Sequence, residues 1–160
     1  MEHQTIRTVQ RTLREWDIID TAIVRHGFVV YNRDYFIEVL YSNAVKMEHL
    51  VSFLFEGCVE AHYENVVLTT TYPCFMDDRF IDYQQWLAAG SPEGFVWGVN
   101  QADAYPGWKY IENSDRAYAW SQKLHIPMHE VEIETNTYRL TLIFHELRVK
   151  QDTHSPHITI

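Results

Sequence analysis

Two cysteines among 160 residues, Cys58 and Cys74, are too few for a disulfide-stapled scaffold and are expected to stay free thiols. No apolar run approaches the roughly 18 residues that a membrane-spanning helix requires. The opening residues MEHQTIRTVQRTLREW hold no apolar stretch of the export-signal kind, so a cytoplasmic placement is expected. Basic residues are scarce: 13 Lys plus Arg stand against 22 Asp plus Glu, a formal charge of -9. That field repels nucleic-acid backbones and anionic membranes, and neither is expected as a partner. Phosphate loops, nucleophile elbows, zinc-finger spacings and Cys-x-x-Cys pairs are all missing. Gly90, Gly94 and Gly98 are evenly spaced but match no dinucleotide or phosphate-binding pattern, so no cofactor is expected from motifs.

What is present is apolar and aromatic. With 46% hydrophobic and 14% aromatic residues, the chain can bury one sizeable core, and a single globular domain over residues 1–160 is expected. Ile6, Val9, Leu13 and Trp16 recur at spacings of three and four, which predicts a helix over 5–16 with Thr5 as cap and Arg7, Arg11 and Arg14 on another face. That basic face is solvated, or meets the acidic body of a second subunit in a homo-oligomer. Residues 18–42 are β-branched and aromatic, broken at Asn32-Arg33-Asp34, and read as a hairpin. A long strand is expected through 51–64, where Val51, Phe53, Phe55, Val59, Ala61 and Tyr63 alternate with Ser52, Glu56, Cys58, Glu60, His62 and Glu64. Gly57 within it suggests a bulge or a close approach.

Residues 76–90 read as a helix begun by Asp77 or Asp78 and ended at Gly90, with Phe80, Tyr83 and Leu87 inward; Asp82 is a third carboxylate on it. Residues 91–108 read as ordered loop with one short strand at 95–99. A further helix fits 113–125, capped by Asn113 or Ser114, with Ala117, Trp120 and Leu124 inward, and Pro127 stops it. The last hairpin, 128–150, turns at Thr135-Asn136 and sets Glu132 opposite Arg139 and Val131 opposite Leu140. Its second strand changes phase near His145, the mark of a bulge. The tail 151–160 is left free or adds a strand through Ile158 and Ile160. The expected fold is α+β: an antiparallel sheet of about five to six strands with two or three helices packed on one face.

Three groups offer chemistry. Glu60 and His62 sit two apart on one strand and point the same way, so with His129 or His145 they can supply ligands to a divalent transition metal whose bound water would serve a hydrolase. The plain alternative is a wet sheet face, and for His129 a buried imidazole held by one hydrogen bond. Trp97, Asn100, Asp103, Tyr105 and Trp108 bring flat rings beside amide and carboxylate groups, the walls of a small-ligand or sugar pocket or of a protein hot spot; packing under a loop uses the same residues. The reading the sequence favours is a non-catalytic binding or regulatory protein, of inhibitor or immunity type by composition alone, whose acidic surface and aromatic loop engage another, basic protein.

Overall fold

The computed structural model describes residues 4–29, 33–42, 48–66, 83–91 and 102–151. In chain order the elements are α1 (Ile6–Glu15), β1 (Ala22–Phe28), β2 (Tyr35–Ser42), β3 (Glu48–Glu56), β4 (Glu60–Asn65), α2 (Tyr83–Ala88), β5 (Ala102–Tyr110), α3 (Asp115–Leu124), β6 (His129–Thr135), β7 (Tyr138–Phe144) and β8 (Glu146–Gln151). The strands form one sheet in the order β4-β7-β6-β5-β1-β2-β3-β8, and every neighbour is antiparallel. Eight strands replace the five or six expected. β3 runs on into β4, and β7 into β8, so the strands at the two ends of that order belong to a single bent ribbon.

The strand count exceeds the expected one because Gly57 and the phase change at His145 read as bulges within continuous strands, whereas the backbone turns a corner there and each run becomes two strands. Gly57 has φ 61°, and its N–H donates to Asp34 Oδ1 at 2.9 Å. A Cβ there would stand 3.1 Å from His145 Cβ on the facing chain. Alternation changes phase at this corner: Cys58 turns into the core behind Phe55, while Val59 falls on the opposite face. Cys58 therefore does not share the face of Glu60 and His62. On the facing strands β7 and β8 the same corner lies at His145, whose N–H donates to the Glu56 carbonyl, and Phe144 and Leu147 both point inward around it. β5 was expected to be loop because Pro106 and Gly107 interrupt it. A register irregularity between Ala104 and Gly107 absorbs the proline, and Gly107 (φ 90°) lets Ile18 pass close by.

In the last hairpin Val131 faces Leu142, Glu132 faces Thr141 and Glu134 faces Arg139. The register thus lies two residues from the expected one, a displacement that leaves every side chain on its intended face. Thr135 fixes the turn one residue later than expected, its Oγ1 accepting from the N–H groups of Thr137 and Tyr138 at 3.1 and 2.9 Å.

The helices do not share one face. Thr5 caps α1, and Val9 and Leu13 bury with Phe53, Phe55, Leu142 and Phe144 on the inner side of the sheet. Ala117 and Trp120 of α3 instead pack on Val59 and Ile143, the outer side, because Ile143 alternates with Leu142 and Phe144. Leu124 and Leu87 are exposed rather than inward. Phe80, Asp77, Asp78, Asp82, the 95–99 strand and the tail beyond Gln151 lie outside the described residues. Inside, Trp16 and Trp108 meet Phe53 edge-on at 6.3 and 4.9 Å, and Phe144 meets Phe55 at 4.9 Å. α1 is tied down at its start by Gln4, whose carboxamide donates to the Leu147 carbonyl and accepts from the Leu147 N–H, both at 2.9 Å. Among the described residues no helix is long and apolar enough to cross a membrane.

Candidate functional site

Antiparallel pairing sets Glu60 opposite Ile143 and His62 opposite Thr141, so the two share the outer face, as their spacing implies. They are not free to converge on an ion. Glu60 accepts from Trp120 Nε1 and pairs with Arg116, which also reaches Glu130 at 3.2 Å. These two donors, Trp120 first, hold the Glu60 carboxyl below its ordinary range. His62 is exposed. His145 donates from Nδ1 to the Pro127 carbonyl at 2.7 Å, since a carbonyl can only accept. His129 points into the opposite, inner face. Among the described residues no group of three His, Cys, Asp or Glu is arranged to hold a metal. Cys58 is a buried free thiol, pushed up to about 12 by burial and donating to the Glu60 carbonyl, so it is neither nucleophile nor ready ligand.

His129 is fully enclosed, with Nδ1 bonded to the Tyr110 hydroxyl at 3.0 Å and Nε2 toward the Gln4 carbonyl at 3.3 Å, two partners where one was expected. Burial lowers its pKa, assisted by His145 and opposed by Gln4; burial also lowers that of His26. With both values lowered in the fold, the unfolded chain binds more protons than the folded one below about pH 6.5. Stability is full above the ordinary histidine value and falls as pH drops from there through the lowered folded values, by up to about 1.4 kcal/mol per pH unit per group. Urea denaturation at about pH 7.5 and about pH 5.5 should show the loss, and His129→Phe should reduce the difference between the two; equal differences in both chains would contradict a neutral His129.

Of the aromatic group, Trp97 and Asn100 lie outside the described residues. Trp108 is a core side chain: its ring packs on Phe53 and Phe55, and its N–H donates to the Trp16 carbonyl at 2.8 Å. Asp103 is exposed, with its main chain pinned on both sides by Asn136, and Tyr105 stands 63% exposed. Of the described ones, only Trp108 lines either of the two cavities below.

The concavity lies elsewhere. Two adjoining cavities of about 500 and 700 Å³ share Tyr110 as a wall and run between α1 and the β5 strand. The first is bounded by Gln10, Arg14, Asp17, Ile19, Pro106, Trp108 and Glu112, the second by Ile6, Arg7, Ile111, Ala117, Tyr118, Met128 and His129. Ile6 and Tyr118 are 55% and 66% exposed, large apolar side chains on the two helices that flank the second cavity. Ser114 supports the α3 wall: its Oγ accepts from Ala117 N at 3.0 Å as helix cap and donates to the buried Glu130 carboxylate, which Arg116 also holds. Ser114→Ala should cost about 1–2 kcal/mol in chemical denaturation, since cap and carboxylate partner are lost together. A loss under a few tenths would show that the cap is unimportant.

Residues 5–158 match the family described as YxiG-like protein, and the chain belongs to that family. No curated protein matches it.

Proposed function

We propose that this member of the YxiG-like family is a binding or regulatory protein that engages a partner protein in the groove between α1, β5 and α3. The observation that carries the reading is the pair of exposed apolar side chains, Ile6 and Tyr118, on the two helices that line one concavity floored by Tyr110 and Met128. Exposed apolar groups that line a groove together are the usual anchor points of a recognition surface, whereas singly scattered ones carry no such meaning. The excess of acidic residues favours a basic partner. Relative to the aromatic loop expected from sequence, the anchors shift from Trp108 and Tyr105 to Ile6, Tyr110 and Tyr118.

The test compares proteins retained by the immobilised chain and by its Ile6→Glu, Tyr118→Glu double variant at low and moderate salt. Both positions are exposed, so the variant should keep its melting temperature. A specific, salt-sensitive partner should be retained by the first and lost by about tenfold or more from the second. Equal retention, or no specific partner on the unaltered chain, overturns the reading.

A further inference from the structure

Ladder geometry makes β5 more than one wall of the groove. β5 pairs with β1 only at Ala102 and Asp103; beyond them its Ala104 main chain is met by Asp20 and Thr21, and from there residues 16–19 run past Gly107 and Trp108 without a main-chain bond to β5. On the other side Ile111 N–H donates to the Glu130 carbonyl, which sets the phase of the β5–β6 ladder: Lys109 and Ile111 direct their main-chain groups to β6, and Trp108 and Tyr110 direct theirs away from it. Among the described residues no main-chain hydrogen bond reaches the N–H and C=O groups of Trp108 and Tyr110 on that side. They form an open strand edge that borders both cavities, with α1 across the gap.

Resting on the groove reading above, we infer that the partner enters as an extended segment that adds a strand to β5 at Trp108 and Tyr110. Four main-chain groups with no hydrogen bond among the described residues, on a sheet edge opposite a helix and beside one mainly apolar and one mainly polar pocket, are what strand addition requires: the main chain supplies the bonding, and alternate side chains of the guest enter the pockets. A helical guest would leave those four groups unused. Asp17 and Glu112 line the first cavity, and Asp20 and Asp103 stand at the strand's beginning, against Arg7 and Arg14 on α1. The guest therefore carries basic residues among its apolar ones. The exposed bond from Gln10 to Glu112 crosses the gap and yields to the incoming strand.

The experiment uses the full chain. Amide exchange by NMR on the free protein should find Trp108 and Tyr110 unprotected beside protected Lys109 and Ile111; equal protection means that the edge is already covered and overturns the inference. Random peptides of about twelve residues, displayed and selected on the protein, should be rich in Lys and Arg and should protect the Trp108 and Tyr110 amides. N-methylation of a selected peptide at alternate positions should weaken binding by about tenfold or more, while the positions between stay neutral. A binder lost from the Ile6→Glu, Tyr118→Glu variant that shows no such alternation and no new protection sinks strand addition and leaves the groove reading standing. Binders indifferent to that variant, or no binder, overturn both. Concentration-dependent pairing of two copies through this edge, seen by sedimentation, overturns the choice of a foreign guest.

Discussion

Phe53→Ala is expected to lower the unfolding free energy by about 3–5 kcal/mol, a large share of the about 5–15 kcal/mol that holds a domain folded. Phe53 is fully enclosed, lies between Ile37 of β2 and Val149 of β8 in the ladder, and receives the edges of both Trp16 and Trp108. Its removal leaves a cavity walled by Trp16 at the end of α1, β2, β8 and Trp108 of β5, and none of those walls can collapse without moving another. Phe28, an aromatic residue that is 40% exposed, provides the comparison: Phe28→Ala should cost about 1 kcal/mol or less. Urea denaturation of both variants decides. A Phe53→Ala loss no larger than that of Phe28→Ala would show that the core is not centred on this ring.

The second large effect belongs to the corner of the ribbon. Gly57→Val should cost about 3 kcal/mol, because a β-branched residue must hold a left-handed backbone while its Cβ crowds His145 on the facing chain. Gly90→Ala separates the two contributions: Gly90 also has positive φ, at 91°, yet nothing stands within 4 Å of where its Cβ would be. That change should cost only the conformational part, about 1 kcal/mol. Thermal denaturation of the pair checks the ordering. A Gly57→Val protein as stable as the Gly90→Ala protein would mean that the His145 contact is slack.

How much was legible follows from what each signal can see. Caps and helical spacing are local, so Thr5 and Ser114 mark α1 and α3 without reference to the rest of the chain. Alternation is also local, which is why Glu60 and His62 share a face and why the last hairpin keeps its faces despite a shifted register. Alternation does report the phase change near His145, and the glycine marks residue 57, but neither shows that the two meet at one corner that divides both runs: the crowding of the Gly57 Cβ position by His145 is a tertiary contact. Ile6 continued the apolar stripe of Val9 and Leu13, yet α1 begins beyond the edge of the core and leaves it in the open. Trp108 looked like a recognition residue because the carbonyl it serves belongs to Trp16, far off in sequence. The groove was invisible for the same reason. Its anchors come from three elements that nothing in the linear order brings together.

Gln4 holds Leu147 across 143 residues of chain. During synthesis the helix that follows Gln4 leaves the ribosome well before the strand that pins its start. Nascent chains short of Leu147 thus carry an amphipathic helix without the strand that pins its start, an invitation to chaperones until β8 arrives.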